Sequence, residues 1–261
     1  MKVNDINIYY EIHGEGFPLV MILGAAQNIF WWHHNLINRF SEKFKVILFD
    51  NRGSGRTDKP KIDYSIKLFV GDTVGLMDAL KIEKAHVFGH SMGGNIAQEL
   101  VFNYPEKVGK LILCSTDCGC SKAVKGDQGS LVARQWNQYK IFELVDSIME
   151  IFFTEEFIQN NPEAVKDIYQ KIVRNPIPLH AFRRQFMAKS TRNAWRKLKG
   201  IRSPTLILHG KEDRDIPPQN ADILADRIPG SKKIIFEGSS HGIHLDNVEK
   251  LTQVILDFLT N

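Results

Sequence analysis

Cysteine is scarce in this chain: Cys114, Cys118 and Cys120 are the only three among 261 residues. An odd number of cysteines in a chain of this length makes no disulfide framework. Cys118-Gly119-Cys120 has neither zinc-ligand spacing nor histidines beside it, so no metal and no other cofactor is expected. Long apolar runs are also missing. Nothing approaches the ~18 residues of a membrane span. The start, Met1-Lys2-Val3-Asn4-Asp5-Ile6-Asn7, lacks the apolar core of a signal peptide, and a cytoplasmic location is the expectation. Charge is nearly balanced, at a net +4, and no basic stripe is interleaved with aromatics, so nucleic acid is not an expected partner. Repeats and low-complexity tracts are absent. What remains is 43% hydrophobic and 25% charged, enough for one large α/β core.

The apolar residues fall into short continuous runs and helical stripes. Residues 18–23, 45–49, 85–88, 110–114, 204–208 and 232–236 read as buried strands. Helical spacing runs over 31–40, 65–80, 95–104, 220–228 and 248–259, with Ser65 as an N-cap. Residues 2–13 alternate around Asn4-Asp5, which suggests an antiparallel hairpin. A strand–helix–strand rhythm implies a mostly parallel sheet with helices on both faces and ligands at the carboxyl ends of the strands. The rhythm breaks after Cys114. Residues 121–199 read as a helical cap inserted between two parts of one α/β core, 1–120 and 200–261. Its stripes (Ile141, Leu144, Val145, Ile148, Ile151 and Phe152; then Val165, Ile168 and Ile172) are expected to pack mainly on one another. Residues 168–199 hold nine Lys or Arg and no Asp or Glu, a run expected to form a solvated face.

One stretch carries chemistry. Gly89-His90-Ser91-Met92-Gly93-Gly94 follows a predicted strand and opens a predicted helix. That context turns a short G-x-S-x-G pattern into a nucleophile elbow, in which glycines relieve crowding at a sharp turn. A serine hydroxyl needs a base, and the base needs an orienting group. Among nine histidines, His241 sits in a Gly/Ser-rich loop after the last predicted strand, on the sheet edge that carries Ser91. His244 is its rival three residues on. His13, His33, His34 and His86 lie elsewhere, and His209 is expected to pack beneath a loop. Asp213 and Asp215 both follow the 204–208 strand, and spacing alone does not choose between them.

These motifs together resemble the α/β-hydrolase superfamily, in its group of small serine esterases and enol-lactonase-like enzymes. Asp50-Asn51-Arg52-Gly53-Ser54-Gly55-Arg56 is similar to that group's loop after the fourth strand, and is expected to be a structural turn network. His209-Gly210-Lys211-Glu212-Asp213 is similar to its acid loop and selects Asp213; Gly238-Ser239-Ser240-His241 is similar to its histidine loop and selects His241. The resemblance implies a catalytic triad of Ser91, Asp213 and His241. By matching position it implies an oxyanion hole of the Ala25 and Met92 backbone N–H groups. Many members have His-Gly where this chain has Leu23-Gly24, but a hole built from backbone amides does not need that histidine.

The resemblance implies a carboxylic ester hydrolase that cleaves small or medium acyl esters through an acyl-enzyme on Ser91. Lactonases and carbon–carbon bond hydrolases use the same triad and are the alternative, as is a ligand-binding sensor with slow turnover. Trp31 and Trp32 follow the oxyanion loop and are expected to pack on helices.

Overall fold

The short continuous apolar runs become strands. The computed structural model describes residues 1–119, 122–126 and 141–261, with the side chains of 141–146 outside that description. Cys120, the boundary at 120/121 and the side chains of Ile141, Leu144 and Val145 therefore lie outside the described residues. The strands are β1 (Lys2–Val3), β2 (Ile6–Asn7), β3 (Tyr10–His13), β4 (Phe17–Ile22), β5 (Phe44–Phe49), β6 (Ala85–His90), β7 (Val108–Cys114), β8 (Thr205–Gly210) and β9 (Lys232–Phe236). The helices are α1 (His34–Ser41), α2 (Ile66–Ala79), α3 (Met92–Asn103), α4 (Ile141–Phe152), α5 (Glu155–Asn160), α6 (Pro162–Arg174), α7 (Leu179–Ser190), α8 (Gln219–Arg227), α9 (Ile243–Asp246) and α10 (Val248–Thr260).

Seven strands form one sheet in the order β3-β5-β4-β6-β7-β8-β9. All neighbours are parallel except β3, which runs antiparallel to β5 with Tyr10 opposite Phe49. The hairpin expected over 2–13 is only partly formed. β1 and β2 pair around Asn4, whose φ is 53°, but β3 leaves them and covers the free edge of β5. An uncovered edge would present unpaired backbone groups, so the longer ladder wins.

Along β4 the side chains alternate between two apolar layers, as a strand's period of two requires. Val20 and Ile22 join Phe69, Met77, Ile96, Leu100 and Leu224 from α2, α3 and α8. Leu19 and Met21 join Leu36, Phe40, Leu251 and Ile255 from α1 and α10. Ser65 caps α2 by accepting the Leu68 amide at 3.1 Å. α1 starts at His34 rather than Trp31, because Asn28 caps a separate 3-10 turn over Ile29–Trp31. Both tryptophans pack: Trp31 lies 4.7 Å from Phe152 and Trp32 lies 5.0 Å from Phe88, ring centre to ring centre. Between β7 and β8 the described residues form α4 to α7 and an isolated bridge from Gly119 to Asn193. No helix among the described residues is long and apolar enough to cross a membrane.

The loop after β5 is the turn network that its sequence suggests. Asp50 accepts the Ile29 and Arg56 amides, each at 2.8 Å, and Asn51 Nδ2 donates to the Leu23 carbonyl at 2.9 Å. Arg52 is fully buried and forks between Asp72 and Asp5, donating to both carboxylates over 2.7–2.9 Å. Asp72 is buried with it, whereas the Asp5 side chain is 54% exposed. Arg52→Met leaves the Asp72 carboxylate buried without its counter-charge, and should cost about 3–5 kcal/mol in urea unfolding. Asp5→Asn removes only the solvent-screened partner and should cost under about 1 kcal/mol.

Candidate active site

Parallel strands end on the same edge, so the loops after β4, β6, β8 and β9 converge. Ser91 occupies the turn from β6 to α3 with φ 53° and ψ −121°, a conformation an L-residue rarely adopts. The flanking glycines make this turn possible. A Cβ on Gly89 would lie 2.4 Å from the Gly93 carbonyl oxygen, and one on Gly93 would lie 2.0 Å from the Ile22 carbonyl oxygen. The same close approach brings the loop after β4 against the serine, since a Cβ on Gly24 would stand 3.3 Å from Ser91 Oγ.

The two aspartates left open by spacing are now separated by geometry. Asp213 Oδ2 accepts from His241 Nδ1 at 2.8 Å. Its Oδ1 accepts the amides of Asp215 and Ile216 at 3.0 and 2.9 Å, which curls the acid loop around it. Asp215 faces the other ring nitrogen instead: its Oδ2 lies 3.7 Å from His241 Nε2. The histidine loop is held from the inserted segment, where the Ile151 carbonyl accepts from Ser240 Oγ at 2.8 Å and the Phe152 carbonyl accepts from the Gly242 amide at 2.9 Å. His90, next to Ser91, donates from Nε2 to the His241 carbonyl at 3.0 Å, which sets the elbow and the histidine loop side by side. Among the described residues no hydrogen bond joins Ser91 Oγ to His241 Nε2. In unliganded sites such bonds are commonly long and tighten around substrate.

The other histidines fall away as bases. His244 is fully buried, 4.2 Å from the His90 ring and 5.2 Å from that of Trp32, and neither of its nitrogens has a hydrogen-bond partner among the described residues. Burial, with the nearby His241 and His33, pushes its pKa down to about 3. His86 accepts the Lys110 amide inside the sheet, and His33 caps α1. His209 does pack under the acid loop, donating to the Ile216 carbonyl at 2.6 Å, but it also stands 3.2 Å from Asp213 Oδ2. That second contact to the acid escaped the sequence reading.

Electrostatics sharpen the pair. Burial would raise the Asp213 pKa, but the adjacent His241 charge and hydrogen bonds from His209 and His241 outweigh it, and the carboxyl is held far below its usual range. Burial likewise pulls His241 down, and the Asp213 charge, its hydrogen bond and the Asp215 charge reverse this, so the His241 pKa is raised above its ordinary value. Lys189 on α7 opposes that rise.

In the loop after β4 the amides on either side of Ala25 are claimed by side chains. Gln27 Oε1 accepts the Gly24 amide at 2.6 Å, and Gln185 Oε1 accepts the Ala26 amide at 2.7 Å. Neither the Ala25 nor the Met92 amide has a protein acceptor among the described residues. Met92 is the first residue of α3, where the orphan amides and the helix dipole favour a developing negative charge. Gln27 lies three residues after Gly24 and was within reach of the sequence; Gln185 was not.

A strained serine turn, a buried Asp–His pair and two unclaimed amides thus gather at one edge of the sheet. The chain belongs to the alpha/beta hydrolase fold family, whose model matches residues 18–248, and it is a hydrolase. It is 28% identical to 2-hydroxymuconate semialdehyde hydrolase of Pseudomonas sp. (strain CF600), over 94% of this chain and 88% of that protein. It is also 28% identical to 2-hydroxy-6-oxo-6-phenylhexa-2,4-dienoate hydrolase of Comamonas testosteroni, over 98% of this chain and 92% of that one. The crystal structure of the enol-lactonase from Burkholderia xenovorans LB400 superposes with a TM-score of 0.91 at 25% identity, covering 99% of this chain and 98% of the other.

Two measurements follow. Gly93→Ala drives a Cβ into the Ile22 backbone and should lower the thermal midpoint by about 5 °C or more, whereas Gly200→Ala, with open space around it, should leave the midpoint within about 1 °C. With His241 as the base, kcat/KM should rise with pH through an apparent pKa above the usual histidine range. Asp215→Asn removes a carboxylate that favours the imidazolium and should move this acid limb to lower pH; an unmoved limb would show that Asp215 does not act on His241.

Proposed function

We propose that Ser91, His241 and Asp213 form a catalytic triad that cleaves a bond to a carbonyl carbon. The observation that carries this reading is the buried His241–Asp213 hydrogen bond of 2.8 Å on the loop beside the Ser91 elbow. His241 Nε2 takes the Ser91 hydroxyl proton as Oγ attacks the carbonyl. The Ala25 and Met92 amides hold the oxyanion, each worth about 3–4 kcal/mol by analogy with a single donor in another serine hydrolase. The bond to the leaving atom breaks, and that atom takes the proton from the His241 imidazolium. His241 then removes a proton from water, which attacks the acyl-enzyme and frees Ser91. Asp213 holds the Nδ1–H tautomer and stabilises the imidazolium throughout.

The leaving atom we assign first is carbon, in a 2-hydroxy-6-oxo dienoic acid. Relatives named for such substrates match nearly end to end. A lactone is the second reading, favoured by the likeness to the enol-lactonase. The simple carboxylic ester expected from the sequence has weaker support, because these likenesses point to the carbon–carbon and lactone enzymes. The inserted helices, which hold the His241 loop, act as the cap over this site.

The deciding assay sets 2-hydroxymuconate semialdehyde, an enol-lactone and p-nitrophenyl acetate against wild type and Ser91→Ala. Wild type should prefer the dienoate by at least about tenfold in kcat/KM. Ser91→Ala should lose at least about 1000-fold on whichever probe is turned over. Near-wild-type activity in Ser91→Ala would overturn the triad. A preference for the acetate would restore the esterase reading, and saturable binding without turnover of any probe would point to a sensor.

A further inference from the structure

One buried side chain of the inserted segment reaches the loop that carries the Ala25 amide. Gln185, on α7, is fully buried. Its Oε1 accepts the Ala26 amide at 2.7 Å, while its Nε2 donates to the Arg52 carbonyl at 2.8 Å and to Ser54 Oγ at 3.0 Å. A single planar amide therefore ties together α7, the loop after β4 and the loop after β5. The third of these is itself rigid, since Asp50 and Arg52 are both buried within its hydrogen-bond network.

The bond to Ala26 falls at a strained position. Ala26 has φ 64°, a left-handed conformation that is unfavourable for a non-glycine residue and persists only where surroundings enforce it. Gln185 supplies that enforcement. The amide before Ala25, that of Gly24, is held at 2.6 Å by Gln27, and the amide after it, that of Ala26, is held by Gln185. Each peptide unit is planar, so fixing the amides on both sides leaves the Ala25 N–H little freedom. The amide left for substrate is thus bracketed by two that are pinned, one from within the loop and one from α7.

We propose that Gln185 is a positioning residue: by holding the strained Ala26 peptide from the inserted segment, it aims the Ala25 N–H at the oxyanion, so that seating α7 on the core completes the reaction site. This rests on the reading of Ala25 as an oxyanion donor. An oxyanion donor acts on the transition state and not on the bound substrate, so its misalignment lowers kcat and leaves KM largely alone. A residue that merely seats α7 would lower stability without that split. A second seating contact provides the control: His180 Nε2 on α7 donates to the Lys59 carbonyl at 3.0 Å and does not touch the loop after β4.

The test compares Gln185→Met, which keeps the volume and removes both polar ends, with His180→Ala and Ser91→Ala. The substrate is whichever of the three probes wild type turns over fastest, and rates are normalised to the folded fraction. Gln185→Met should lose about 10–100-fold in kcat, part of the loss seen when a whole donor is removed, with KM within about threefold. Phenylboronic acid, whose tetrahedral adduct places an oxygen in the hole, should bind more weakly by a similar factor. His180→Ala should lower the thermal midpoint yet keep kcat within about twofold. If Gln185→Met does not fold, Gln185→Asn, one methylene too short to reach Ala26, carries the same expectation. Wild-type kcat and boronate affinity in the folded Gln185 variant would overturn the inference. In that event an inactive Ser91→Ala leaves the triad standing, whereas an active one removes the triad as well.

Discussion

Gly93 lies so close to the Ile22 carbonyl that a single added carbon would stand 2.0 Å from its oxygen. Much of the site depends on that approach. It lets α3 begin directly against the end of β4, which forces the serine between strand and helix into a strained turn. It also brings the loop after β4 to the serine's side. The first amide of α3 and an amide of that loop then stand at the same sheet edge. A chain with any side chain at position 93 would have to part β4 from α3 and with them the two amides.

The acid and the base are organised by a different constraint, burial. Asp213 and His241 are both removed from water, where an isolated charge is costly. Each makes the other tolerable. The carboxylate is satisfied on both oxygens, by His241 and His209 on one and two backbone amides on the other. The imidazole is left with one nitrogen engaged and the other 3.7 Å from Asp215 Oδ2. The inserted segment stabilises both halves of this arrangement. The carbonyls of Ile151 and Phe152 hold the histidine loop, and Gln185 holds the loop after β4. Helices that stand apart in sequence from the core motifs thus hold two of the loops at this sheet edge.

In the acyl transfer proposed above, the leaving group is the least constrained part. Attack by serine, oxyanion stabilisation and proton return all occur at or next to the carbonyl carbon. They work alike whether the bond that breaks leads to oxygen or to carbon. An elbow, an acid and a histidine in order therefore suggest an ester as readily as any other acyl compound. Full-length likeness to carbon–carbon bond hydrolases and to an enol-lactonase carries more information about the leaving atom than the motifs do.

The sequence by itself determined the features that depend on near neighbours. The glycines around Ser91 mark a turn that only they permit, and Ser65 marks a helix start. The continuous apolar runs mark strands, and the order of Ser91, Asp213 and His241 follows from which strand each residue terminates. The tertiary structure decided what depends on partners far along the chain. Spacing left Asp213 and Asp215 equivalent; the curl of the acid loop, with two amides on Asp213 Oδ1, turned one to Nδ1 and the other to Nε2 of the same ring. His244 lost its claim because it stacks in a pocket without a carboxylate. Gln185 meets Ala26 across 159 positions of sequence, and no local pattern marks it. The reason is physical: steric demands within a turn are written in adjacent residues, whereas a hydrogen bond between an inserted helix and a loop exists only once the sheet order has brought them together.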